Sequence, residues 1–253
     1  MPEPPEAADA PSPVLRQNSG GAATLTLNRP DKRNALSVDL FIALDAELAA
    51  IEAEIETVGL VILRAAGPVF SAGAALDRQP RPPSPHFQAK TINRLAHLPQ
   101  PVIAAVQGKC FTGGLELALA ADIILAAESA QFADTHAKWA LVPGWGMSQR
   151  LPRRIGAHKA REMMFTGRLY DGRAAERMGL ANICVPDDQF EQELQSLADS
   201  ILAQSWHSNR GNKRLLLETE GLSLQAGLAH ETYNSPGIGA DFAARVGETF
   251  GKR

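Results

Sequence analysis

Two runs of apolar, largely β-branched sequence each lead into a glycine-bearing corner, and this repeated pattern restricts the fold more than any other feature of the chain. Leu60 to Leu63 precedes Phe70-Ser71-Ala72-Gly73-Ala74-Ala75-Leu76. Val102 to Val106 precedes Gly108-Lys109-Cys110-Phe111-Thr112-Gly113-Gly114-Leu115-Glu116-Leu117-Ala118. Each run reads as a buried strand, and each corner opens toward helix-like sequence. Gly73 and the pair Gly113-Gly114 remove Cβ atoms where a ligand would approach peptide N–H groups, and the first free N–H groups of a helix attract negative charge. Two such groups aimed at one point make an oxyanion hole. Glu116, three residues after Gly113, is placed to act as an acid or base beside a polarised carbonyl. Taken singly, each glycine reads more simply as a turn or a packed corner, and Glu116 as a residue complementing the helix dipole.

The rest of the chain alternates in the same way. Ala23 to Asn28 reads as a strand broken by Arg29-Pro30-Asp31; Ser37 is an N-cap for a helix over Val38 to Ile55, and Val58 to Arg64 is the next strand. Residues 78–85 are proline-rich and read as a surface loop. Phe87 to Leu98 predicts a helix, Val102 to Val106 a strand, Leu115 to Ala121 a helix and Ile123 to Ala126 a strand. The implied fold class is α/β with a wound sheet. After Pro143-Gly144-Trp145-Gly146, the segments Met147 to Ile155, His158 to Phe165, Asp171 to Met178 and Pro186 to Gln204 all read as helices. The expected division is a disordered lead-in over 1–13, an α/β core over 14–185 and a C-terminal helical region over 186–253.

Lys and Arg number 25 against 28 Asp and Glu, a net charge of −3, so nothing global draws the chain to nucleic acid or an anionic membrane. Cys110 and Cys184 fit no metal-ligand spacing and read as free buried thiols of a reducing compartment. Met1 to Pro13 has neither the basic nor the apolar part of a signal peptide, and there is no apolar run of membrane-spanning length, so a cytoplasmic location is expected. No Walker, dinucleotide or metal-ligand motif is present, and neither a metal nor a separate cofactor is expected.

Four motifs in order resemble the crotonase, or enoyl-CoA hydratase/isomerase, superfamily. They are Leu27-Asn28-Arg29-Pro30 with Arg33-Asn34-Ala35-Leu36; Phe70 to Ala74; Gly108 with Gly113 to Ala118 and Ala121-Asp122; and Leu141 to Gly144 with Gln149-Arg150-Leu151. The resemblance implies a crotonase-like wound ββα core, a helical C-terminal region that builds homotrimers, often paired into hexamers, and an acyl-CoA substrate. It implies that the N–H groups of Ala74 and Gly113 hold the thioester enolate oxygen. Glu116 matches the first of the two glutamates that handle protons in the family's hydratases.

The second glutamate is replaced by His136, within Phe132-Ala133-Asp134-Thr135-His136. An imidazole gives or takes a proton near neutrality, and Asp134 is placed to orient it if Ala133 to Thr135 is extended. A lone histidine reads equally well as a packing residue. Ala75 stands where many members carry Asp, and Asp77 reads as surface. Arg29, Lys32 and Arg33, with Ala35 and Ala72, fall where the family binds coenzyme A, and Lys252 and Arg253 near Phe250 are candidates to supplement the site from a neighbouring subunit. A hydratase-like lyase is the first reading. An acyl-CoA isomerase, decarboxylase or hydrolase with a single acid/base is the second, and a non-catalytic acyl-CoA-binding protein the third.

Overall fold

The structure, a computed structural model, describes residues 11–250. Most of the expected lead-in, and Lys252 and Arg253, lie outside the described residues. The chain opens with β1 (Val14–Ser19) and β2 (Ala22–Leu27), an antiparallel hairpin turned by Gly20 and Gly21 at φ 58° and 89°. Left-handed backbone at both turn positions is what a two-residue hairpin with native twist demands. Next come α1 (Val38–Ala53), β3 (Leu60–Ala65), α2 (Phe87–His97) and β4 (Val102–Val106). Ser37 caps α1, its hydroxyl accepting from the Leu40 N–H at 3.2 Å. Residues 78–85 form no helix or strand.

The chain continues through β5 (Lys109–Phe111), α3 (Gly113–Ala118), β6 (Ile123–Ala127), β7 (Gln131–Ala133), α4 (Met147–Ile155), α5 (Ala157–Thr166), β8 (Tyr170–Asp171), α6 (Gly172–Arg177) and β9 (Ile183–Val185). The last elements are α7 (Phe190–Leu202), α8 (Trp206–Thr219), α9 (Leu224–Asn234) and α10 (Phe242–Phe250). The main sheet runs in the order β1-β2-β3-β4-β6-β9, with every pair after the first hairpin parallel. Alternation along β3 explains its burial on both faces. Val61 and Leu63 join the larger core with Leu44, Leu48 and Ile92, while Leu60 and Ile62 meet Phe190, Leu194 and Ala198 of α7.

Beyond β8 the stretch that reads as helices also contains β9, which pairs with β6 and completes the main sheet. A second, three-stranded sheet, β5-β7-β8, matters most for the site. Its β5 and β7 pair in parallel with Cys110 opposite Phe132 and Phe111 opposite Ala133. That register carries the residue after β5, Thr112, to the start of the turn that holds Asp134 and His136. Among the described residues no helix is long and apolar enough to cross a membrane.

Candidate active site

Both glycine corners meet at the edge of the second sheet. The Ser71 N–H donates to Lys109 O at 2.9 Å, and the Phe111 N–H donates to Ser71 O at 3.0 Å. Gly114 permits this approach: a Cβ there would stand 2.7 Å from the Ser71 Cβ and 2.8 Å from its carbonyl oxygen. A Cβ built on Gly113 would stand 3.2 Å from the Ala74 nitrogen, so the two predicted donors face one small space. Among the described residues neither the Ala74 nor the Gly113 N–H has a protein acceptor. Gly113 is buried and Ala74 half-buried, and both N–H groups are free to meet a ligand oxygen or a water in the space they face.

The first corner is fixed by the Arg29–Leu36 loop. Asn34, fully buried, accepts from the Arg29 N–H at 2.8 Å and donates to Ala66 O and Val69 O at 2.9 and 2.7 Å. The Leu36 N–H donates to Gly73 O at 2.8 Å and the Ala75 N–H to Leu36 O at 3.1 Å, which leaves the Ala74 N–H pointing the other way. Thr112 turns the second corner at φ 52° and ψ −112°, a costly conformation for a β-branched residue. It is held by its N–H to Ala133 O at 2.9 Å and by its hydroxyl against that of Thr135 at 2.5 Å.

Glu116 and His136, both buried, come together beside these donors. Glu116 Oε2 lies 3.7 Å from His136 Nε2. The other carboxylate oxygen, Oε1, accepts the Trp145 N–H at 2.8 Å and the Met147 N–H at 3.1 Å. The ring is oriented as expected, though by a tight turn and not by strand alternation, because β7 ends at Ala133. Asp134 Oδ1 accepts both the His136 backbone N–H at 3.1 Å and the ring Nδ1–H at 2.5 Å. A carboxylate can only accept, so Nδ1 carries hydrogen and Nε2 faces Glu116. Asp134 Oδ2 is buried without a hydrogen-bond partner among the described residues, so the ring receives the carboxylate's charge with little competition.

Burial pushes the Glu116 carboxyl above the ordinary carboxylate range, against the pull of its two backbone donors and of His136. Burial works against a charged His136, yet the hydrogen bond and charge of Asp134, with the charge of Glu116, raise its pKa above the ordinary histidine value. The neighbouring carboxylates thus favour the charged form of His136, while burial favours the neutral form of Glu116.

These groups line a cavity of about 230 Å³ with Gly73, Ala74, Leu76, Thr112, Gly113, Trp139 and Trp145. A groove of about 630 Å³ shares Ala72, Ala74, Leu76, Thr135 and Trp139 with it. All five residues expected to meet coenzyme A, Arg29, Lys32, Arg33, Ala35 and Ala72, line this groove, joined by Lys109 and Lys138. The groove presents five cations against the carboxylates of Asp31 and Asp77. Arg29 is partly committed, donating to Ala35 O at 3.1 Å. Lys109, Lys138 and the backbone hold on Glu116 escape sequence reasoning; the flanking Gly144 and Gly146 were the available sign of a constrained loop.

Two unpaired backbone donors beside a buried carboxylate and imidazole, on a wound ββα core, define a crotonase-type enzyme. Residues 17–236 match the model of the enoyl-CoA hydratase/isomerase family. A probable enoyl-CoA hydratase of Rhizobium meliloti is 34% identical over 86% of each chain. The mitochondrial methylglutaconyl-CoA hydratase of Mus musculus is 36% identical, over 86% of this chain and 72% of that one. The crystal structure of an enoyl-CoA hydratase from Bacillus anthracis superposes with a TM-score of 0.88 at 31% identity, covering 95% of this chain and 97% of that one. The chain belongs to the enoyl-CoA hydratase/isomerase family.

Proposed function

We propose that this enoyl-CoA hydratase-like enzyme adds water across the α,β double bond of an enoyl-CoA thioester, and removes it in reverse. The observation that carries this reading is the Glu116–His136 pair, 3.7 Å apart, in one cavity with the free Ala74 and Gly113 N–H groups. The thioester oxygen accepts from the two N–H groups, which stabilise the enolate; one such donor typically contributes about 3 kcal/mol. At 3.7 Å the pair is too far apart for a direct hydrogen bond, and one water can touch both. Glu116 takes a proton from this water as its oxygen bonds to the β-carbon and the π electrons move to the thioester. The imidazolium of His136 then delivers a proton to the α-carbon. Transfer from the Glu116 carboxyl to the His136 ring restores both groups.

Coenzyme A enters as part of the substrate, with its phosphates along Arg29, Lys32, Arg33, Lys109 and Lys138, and no further cofactor takes part. Exposed apolar side chains on α9 and α10, among them Leu224, Leu228, Tyr233 and Phe242, support a homotrimer or a pair of trimers. The reading places the enzyme in cytoplasmic fatty-acid metabolism. The test follows the ultraviolet absorbance of crotonyl-CoA. Glu116→Gln and His136→Gln should each lower turnover by about 10²-fold or more. Unchanged turnover in both folded variants would overturn the assignment.

A further inference from the structure

Arg150, on the first turn of α4, lies outside the active-site cavity but touches the segment that holds Glu116. Its Nη1 donates to Trp145 O at 3.1 Å, and its Nη2 donates to Asn93 Oδ1 of α2 at 2.6 Å. The segment between these contacts and the cavity is Trp145-Gly146-Met147, whose N–H groups at 145 and 147 both donate to Glu116 Oε1. Gly146 stands at φ 122°, and a Cβ there would lie 2.2 Å from Arg150 Nη1, so the guanidinium rests directly on this backbone. Gly144 and Trp145 line the active-site cavity and also an outer cavity of about 570 Å³ that contains Asn93 and Arg150.

We propose that Arg150 is a positioning residue: anchored by Asn93, its guanidinium fixes the Trp145 carbonyl and thereby the two N–H groups that aim Glu116 at His136. The inference rests on the reading of Glu116 as an acid/base group. It does not require Arg150 to touch substrate. A fixed guanidinium suits the task because it presents separate donors to two acceptors from one rigid plane, which an ammonium group does not. The charged groups that bear on Glu116 are His136 and Asp134, from the turn after β7, and Arg150 itself; Glu220, beyond the guanidinium, bears on Arg150.

The test uses the full chain with crotonyl-CoA and compares Arg150→Met, Arg150→Lys and Asn93→Ala with wild type, with circular dichroism and thermal melting to confirm folding. Arg150→Met should lower kcat by about 10- to 100-fold, the scale of a small misplacement of a catalytic group, with KM changed less than about twofold. The acid limb of its kcat–pH profile should move to higher pH, because a carboxylate that loses backbone donors is harder to ionise. Arg150→Lys keeps the charge but not the two-point hold, and should recover only part of kcat. Asn93→Ala leaves the charge untouched and should move kcat and the acid limb in the same direction by less. Wild-type kcat and acid limb in folded Arg150→Met would overturn the proposal. So would full recovery in Arg150→Lys with no effect of Asn93→Ala, which would assign the effect to charge alone. Turnover that survives Glu116→Gln overturns the acid/base reading itself; a dead Glu116→Gln beside a normal Arg150→Met refutes only the role of Arg150.

Discussion

Replacing Asp134 with asparagine keeps the size and one acceptor oxygen of the side chain while removing its charge, and it isolates what the carboxylate does for His136. Oδ1 receives two hydrogen bonds, at 2.5 Å from Nδ1 and 3.1 Å from the backbone N–H, in a residue 1% exposed. A hydrogen bond to a buried charged partner contributes about 1.5–3 kcal/mol. If that amount is lost from the imidazolium that delivers the proton, kcat falls by about 10- to 100-fold, since about 1.4 kcal/mol is tenfold in rate. The pH profile gives the sharper reading. Asp134 raises the pKa of His136, so the alkaline limb of kcat should move to lower pH in Asp134→Asn. It also opposes ionisation of Glu116 by repulsion, so the acid limb should move down as well. The stability linkage has a definite sign. His136 has a raised pKa in the folded state, so its contribution is fully present below about pH 6.5 and is lost as pH rises through the folded value. The stability deficit of Asp134→Asn should therefore be largest below that pH and shrink above it. The assays are crotonyl-CoA absorbance against pH and urea unfolding at matched pH values. A folded Asp134→Asn enzyme with wild-type kcat and an unmoved alkaline limb would refute the argument.

The remaining predictions concern the groove and the corner. Calorimetric affinity for an acyl-CoA should exceed that for its 3′-dephospho form, with a difference that shrinks as salt rises, because five Lys and Arg side chains line the groove proposed to take the phosphates; equal affinity at low salt would show that no residue reads the 3′-phosphate. Gly108→Ala should destabilise the fold by about 3 kcal/mol or more, because left-handed strain and overpacking add: a Cβ at Gly108, φ 61°, would stand 1.9 Å from Pro68 O. A thermal midpoint within error of wild type would show that the backbone yields there at little cost.

The parallel core was legible in the sequence because its strands, such as Val102–Val106, are buried at every position and therefore appear as unbroken apolar runs. The edges were not. Strand β1 reads Val-Leu-Arg-Gln-Asn-Ser, with little to mark it as a strand apart from the Gly20-Gly21 turn that follows. Strand β9 has three residues, and its place in the sheet is set by β6, far away in sequence. At the site, the Asp134–His136 contact lay within local reach. The grip of Trp145 and Met147 on Glu116 spans 29 and 31 residues, and no periodicity encodes a loop closure of that kind.

Glu116 and His136, the two proposed proton-handling groups, hang from different elements. Glu116 shares α3 with Gly113, so the proposed oxyanion donor and the first proposed acid/base group stand on one helix. His136 sits on its own short turn after β7, oriented by a residue two positions away. A change confined to the Asp134 and His136 side chains, which leaves the Thr135 hold on Thr112 in place, therefore alters the second proposed proton site while the corner that carries Gly113 keeps its support. The proposed oxyanion donors and the second acid/base candidate are thus carried by separate backbone segments.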